Sequence, residues 1–184
     1  MVRIISFDIG LKNLSYCFLE DEKIVGWDNV DISHKDQVRQ AEKIWDLLQT
    51  ITPNSLLQEW MPEIVVEKQM AARMKRIESY ILMYYIDKKR LGMVTNVTLF
   101  HAKYKLKHYT RQVGDLEMGT KKYSTRYANN KYKGKEQCRI IIHREGMQEQ
   151  EWLQKYKSSK KKDDLADSFL QGRAYYLMKH KGKK

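Results

Sequence analysis

The chain has 184 residues, 42% of them apolar and 11% aromatic, and a formal net charge of +12. That length is enough for a full hydrophobic core, and that apolar content excludes a disordered chain. No run approaches the roughly 20 apolar residues that span a bilayer and no basic-then-apolar leader opens the sequence, so a soluble intracellular protein without membrane association is expected.

The segment VRIISFD (2–8) is apolar and β-branched and predicts a strand. LSYCFLE (14–20) and KIVGWDNVDI (23–32) follow after short polar breaks, which makes an antiparallel meander of three strands. Val38, Ala41, Ile44, Trp45 and Leu48 recur at helical spacing and predict a helix over about 35–50. Pro53 and Pro62 bracket a connector containing LLQEW. EIVVEK (63–68) reads as a short buried strand. Met74, Ile77, Ile81, Tyr84 and Tyr85 mark a helix over roughly 70–91, stopped by Gly92, and VTNVTLF (94–100) is a further strand. Residues 102–135 hold no sustained period and read as a long loop with partial helix. Short helices are expected at 136–144 and over EQEWLQKY. Leu165, Phe169, Ala174 and Leu177 suit one buried face of a last helix over about 162–179, and KHKGKK reads as a solvated tail. This order predicts an α/β protein with a mixed sheet, the later strands being added by crossovers.

The positive charge is concentrated. Residues 101–144 carry 12 Lys or Arg against 3 acids, and residues 155–184 carry 10 against 3. Two basic segments on an otherwise slightly acidic chain point to a polyanion, with nucleic acid as the expected partner. Neither segment has the apolar face that a membrane surface would require. Cys17 and Cys138 form no CxxC, and the five histidines show no HxxxH or HExxH spacing. Reduced, mostly buried thiols and no zinc site are therefore expected.

Three stretches place acids where a purely structural role is uncomfortable. Asp8 interrupts an apolar strand just before Gly10, and a buried, unpaired carboxylate is costly. Glu67 closes the fourth strand. KKKDDLADSFLQG (160–172) puts Asp163, Asp164 and Asp167 at the start of the last helix. There Asp164 and Asp167, or Asp163 and Asp167, share a face. Each acid also has an ordinary explanation: helix capping for Asp163 or Asp164, pairing with Lys68 or a nearby arginine for Glu67, and a solvated strand end for Asp8. Taken together they fit a cluster whose repulsion a divalent cation cancels, and magnesium prefers such oxygen ligands. Gly10 lets the backbone turn tightly, and Lys12 and Asn13 beside it can reach a phosphate. Lys103, Lys105, Lys107, Arg111, Lys121 and Lys122 form a candidate phosphate-binding track.

FDIGLKNLSY, IVVEKQ and KKDDLADSF, in this order and at these separations, resemble the three acidic motifs of the Holliday junction resolvases of the RNase H-like superfamily. The likeness is greatest to the viral, poxvirus-type branch, which is related to the mitochondrial and RuvC resolvases, and it runs from residue 2 to about 177. It implies a five-stranded mixed sheet, the first three strands antiparallel, flanked by helices. It also implies one nuclease domain over 1–184, with a basic insertion at about 102–135 and a basic C-terminal tail. By this resemblance Asp8, Glu67, Asp164 and Asp167 are ligands of Mg²⁺, for which Mn²⁺ can substitute, with Asp163 as the alternative to Asp164. A catalytic lysine comes from the segment before the last motif; Lys135 is the first choice, with Lys131 and Lys133 as alternatives. The implied activity is metal-dependent resolution of four-way DNA junctions by paired symmetric nicks, in viral recombination or concatemer processing. Symmetric nicking needs two sites related by a two-fold axis, hence a homodimer, for which the Met- and Tyr-rich 70–91 helix is the expected surface, with packing of that helix on the sheet as the alternative. The implied setting is an infected cell (cytoplasmic viral factory or nucleus), with a mitochondrial setting as the alternative. Two rivals share these residues: an RNase H-like nuclease for hybrids or flaps, and a non-catalytic nucleic-acid-binding module.

Overall fold

In β1 (Arg3–Ile9) every residue after Arg3 is buried, as suits a strand covered on both faces and paired on both edges. The computed structural model, which describes residues 1–106, 125–144 and 150–181, places β1 at the centre of a five-stranded sheet of order β3-β2-β1-β4-β5. β1 pairs antiparallel with β2 (Asn13–Glu20), and β2 pairs antiparallel with β3 (Lys23–Asp31). On the other side β1 runs parallel to β4 (Glu63–Glu67), and β4 runs parallel to β5 (Asn96–Phe100). The meander and the two crossover strands follow the predicted order.

Alternation along the strands divides the core into two layers. Ile5, Phe7 and Ile9 of β1, with Ile64 and Val66 of β4, pack on Ile44 and Leu48 of α1 (Gln37–Ile51), Leu57 of α2 (Asn54–Trp60) and Ile77, Ile81 and Tyr85 of α3 (Ala72–Arg90). Ile4 and Val65 face the other way, onto Cys138 and Ile141 of α4 (Arg126–Arg144), Tyr156 of α5 (Gln150–Ser158) and Phe169 and Leu170 of α6 (Lys162–Tyr176). By the same parity Ser6, Asp8 and Glu67 turn toward α6. That helix lies close on the sheet: a Cβ added at Gly172 would stand 2.7 Å from Leu19 Cδ1 and 2.9 Å from Ser6 Cβ. Glycine is what allows the approach.

Three expectations are corrected. The LLQEW connector is α2, and residues 126–135, expected in a long loop with partial helix, are wholly helical and belong to α4. The KHKGKK tail, expected to be solvated, keeps Lys179 and Lys181 exposed but is tied to the fold by ion pairs as far as Lys181, in a π turn over Leu177–Lys181. Glu63, at the start of β4, accepts hydrogen bonds from Tyr175 Oη and Lys179 Nζ, each at 2.5 Å, and His180 Nε2 stands 3.0 Å from its other oxygen. Lys181 pairs with Glu22. Cys17 and Cys138 are buried thiols. α3 buries Ile77, Ile81, Tyr84 and Tyr85, whereas Met83 and Leu91 are exposed. Among the described residues no helix is long and apolar enough to cross a membrane.

Candidate active site

β1 and β4 end side by side. Phe7 pairs with Val66, so Asp8 and Glu67 each follow the last register pair, and Glu67 lies opposite Phe100 of β5. The three parallel strands thus finish at one edge, where α/β sheets open a crevice. α6 crosses above it and brings Asp167 to the two strand-end acids. Trp27 pins the start of α6 by donating from Nε1 to the Leu165 carbonyl at 3.0 Å and to Ser168 Oγ at 3.1 Å. Gln171, wholly buried one turn beyond Asp167, donates from Nε2 to Ser6 Oγ at 3.1 Å and to the Phe7 carbonyl at 3.0 Å.

Inside the crevice the three carboxylates meet a lysine. Lys105 Nζ lies 2.7 Å from Asp8 Oδ1, 3.0 Å from Glu67 Oε1 and 3.5 Å from Asp167 Oδ2. The sequence predicts Lys105 on an exposed phosphate track, yet its side chain is only 6% exposed. The physical reason is local: three acids desolvated together need a counter-charge, and the chain leaving β5 turns at this edge through a 3₁₀ turn (Ala102–Tyr104). Burial pushes the Asp8 carboxyl well above its ordinary value, and repulsion from Asp167 and Glu67 adds to it against the pull of Lys105. Burial acts on Glu67 in the same sense. There it is outweighed by Lys105 and by hydrogen bonds from Asp8, Lys105 and Gln69, which hold Glu67 below the ordinary value. Asp167 is raised by burial and by repulsion from Glu67. Despite its burial, Lys105 is held firmly protonated by the three acids. Gln69 steadies Glu67 from behind: its Nε2 donates to Glu67 Oε2 at 2.7 Å, and its own backbone N–H donates to Glu78 Oε2 at 2.5 Å.

The other acids of the last motif go elsewhere. Asp164 accepts from Asn29 Nδ2 at 3.0 Å and Asn13 Nδ2 at 3.4 Å, and Asp163 pairs with Lys131 at 2.7 Å. Acids three apart on a helix are offset by about 60° around it, so Asp164 and Asp167 share a side without sharing a partner. Of the three candidate lysines, Lys131 is the one placed against acids of α6, since its charge also acts on Asp167. Among the described residues no ion pair engages the Lys135 ammonium, and its carbonyl accepts from Tyr156 Oη at 2.9 Å. Lys133 is half-buried. Lys12 is exposed on the β1–β2 turn, which Gly10 closes by donating its N–H to the Asn13 carbonyl at 2.8 Å. Lys103 is exposed, with its ammonium 4.9 Å from the Tyr104 ring centroid. Lys107, Arg111, Lys121 and Lys122 lie outside the described residues.

Reasoning from the sequence missed the partnership of Lys105 with the acids, the asparagine clasp of Asp164 and the supporting roles of Gln69 and Gln171. Gln69 alone had a signal, two residues after Glu67 in IVVEKQ. Among the described residues no group of three or more His, Cys, Asp or Glu is arranged to hold a metal ion; Asp8, Glu67 and Asp167 are arranged around an ammonium instead. Their donor chemistry nevertheless suits a hard divalent cation, being oxygen throughout.

Solved structures similar over nearly the whole chain include two of RuvC. Thermus thermophilus RuvC in complex with a Holliday junction substrate is 12% identical with a TM-score of 0.59, over 100% of this chain and 98% of that one. A second Thermus thermophilus RuvC structure is 11% identical with a TM-score of 0.54, over 96% of this chain and 95% of that one. No family model matches the chain, and neither does any curated protein. At such identities the likeness is one of architecture: the mixed β3-β2-β1-β4-β5 sheet with its helices is the RNase H-like fold.

Proposed function

We propose that this protein is a divalent-cation-dependent endonuclease that resolves four-way DNA junctions by paired symmetric nicks. The observation that carries the reading is the convergence of Asp8, Glu67 and Asp167 on a single cation at the carboxyl edge of the parallel strands. The motif resemblance supports it, and it is the basis for assigning the viral branch and a role in viral DNA recombination. So does the fold shared with RuvC, whose structure was solved on a Holliday junction substrate.

When bound, Mg²⁺ or Mn²⁺ polarises the scissile phosphate and lowers the pKa of water. Asp8, Glu67 and Asp167 hold the cation, Gln69 keeps Glu67 oriented, and Asp164 stays on Asn13 and Asn29 at the rim. Lys131, rather than Lys135, meets the charge that builds on the phosphate, because Lys131 lies against Asp163 and acts on Asp167. Lys12 and Lys103, both exposed, take backbone phosphates on either side. Symmetric nicking needs two such sites related by a two-fold axis, hence a homodimer. The outer face of α3, where Met83 is 65% exposed, is its proposed surface.

A second reading, a junction-binding module without catalysis, draws on one observation: an ammonium already occupies the space among the three acids. Incubation of the full chain with Mg²⁺ and a labelled four-way junction, an RNA–DNA hybrid or a flap separates these. Preferential, symmetric cutting of the junction is expected. Preferential cutting of the hybrid or flap overturns the substrate assignment, and binding without any cutting overturns the nuclease.

A further inference from the structure

We infer that Lys105 sets the cation affinity of the carboxylate cluster: its ammonium and a divalent cation take the same three oxygens in turn, so a divalent ion enters only as Lys105 leaves. The inference rests on the proposed reading of Asp8, Glu67 and Asp167 as a divalent-cation site. Lys105 Nζ reaches all three acids within 2.7–3.5 Å. A magnesium ion needs such oxygens at about 2.1 Å, which leaves no room for a like-charged ammonium between them.

The framework holds the three acids on short side chains, whereas of Lys105 it holds only the backbone. Asp8 lies one residue from the end of β1, paired with Ser15, Glu67 ends β4 opposite Phe100, and Asp167 sits on α6, which Gln171 locks to β1. Lys105 follows a turn of three residues, and its backbone N–H donates to the Ala102 carbonyl at 3.1 Å. Tyr104 and Leu106, on either side, pack on the core. The turn therefore stays in place while the flexible four-carbon stem swings. The way out is on the side of Asp167, whose side chain is 38% exposed against 11% for Asp8 and 13% for Glu67. Without a divalent ion the ammonium keeps the acids together; with one, it is released at the mouth of the crevice.

The test uses the full chain and MnCl₂ alone. Calorimetric titration of the wild type and Lys105→Met should show Mn²⁺ binding about tenfold or more tighter in the variant, whereas Lys105→Arg, which keeps the charge, stays near the wild type. Lys105→Met should melt lower than the wild type without metal and gain more from Mn²⁺; if it folds only with Mn²⁺ added, that too supports the inference. In the wild type, acylation of Lys105 by an amine-reactive ester, read by mass spectrometry, should rise about tenfold at saturating Mn²⁺. Equal or weaker Mn²⁺ binding by Lys105→Met, or unchanged acylation, overturns the inference. If the wild type still cuts junctions with Mg²⁺, only this inference falls. If neither protein binds Mn²⁺ and no junction is cut, the nuclease reading falls with it.

Discussion

Gln171 donates from Nε2 to the carbonyl oxygen of Phe7 at 3.0 Å, joining positions 164 apart in the chain. The bond fastens the helix that carries Asp167 to the strand that carries Asp8, so the spacing of the acids depends on it. Gln171→Leu keeps the volume and removes the donor. The variant also loses an Oε1 that has no hydrogen-bond partner among the described residues, which limits the cost to about 1–2 kcal/mol. Gln171→Glu turns a carboxylate toward the Phe7 carbonyl and should cost about 3 kcal/mol or more. Urea unfolding that ranks Glu below Leu below the wild type bears this out; an equal loss for the two would not.

Gly172 faces a tighter constraint. A methyl group there meets Leu19 Cδ1, which can yield, and Ser6 Cβ, which cannot move without the strand. Gly172→Ala should destabilise the fold by about 1–3 kcal/mol, despite the better helix propensity of alanine. A melting temperature equal to or above the wild type would show that α6 has slack over β1.

The C-terminal clasp predicts a pH dependence. Burial acts to raise the pKa of Glu63, but hydrogen bonds from Lys179 and Tyr175 outweigh it and hold the carboxyl below its ordinary 4.5. A carboxyl with a lowered folded-state pKa contributes stability above its unfolded value and loses it as the pH falls through the folded one. Glu63→Gln should therefore melt below the wild type at neutral pH, and the gap should close as the pH drops below 4.5 through the lowered folded-state value. A gap constant over that range would mean that the clasp draws nothing from the Glu63 charge.

Lys103 tests the path of the nucleic acid. Lys103→Glu should weaken junction binding and lower the slope of log affinity against log salt by about 0.9 for each phosphate no longer neutralised. Unchanged affinity at low salt would place the DNA elsewhere.

Much of this architecture is legible in residue order. Apolar runs in IISFDI and EIVVE mark the two buried strands on which Asp8 and Glu67 sit, and the two-residue period of a strand turns both acids toward α6. The last helix shows through Leu165 and Phe169. The start of α4 does not, because the side of it that meets α6 carries Gly134 and no large apolar residue before Cys138. Lys103, Lys105 and Lys107 look alike in sequence, since nothing local tells which lysine turns inward; only the convergence of three distant acids selects Lys105. Helical spacing groups Asp164 with Asp167, but the asparagines that capture Asp164 come from β2 and β3, more than a hundred residues earlier.

The central claim is that Asp8 helps to hold a catalytic cation rather than merely pairing with Lys105. The most direct measurement is Mg²⁺-dependent cleavage of a labelled four-way junction by the wild type and by Asp8→Asn, with junction affinity recorded in parallel. Cleavage should fall by about a hundredfold or more while affinity stays level or rises, because a negative charge beside the phosphate is removed. Cleavage by Asp8→Asn at the wild-type rate, or junction binding lost together with cleavage, would contradict the account.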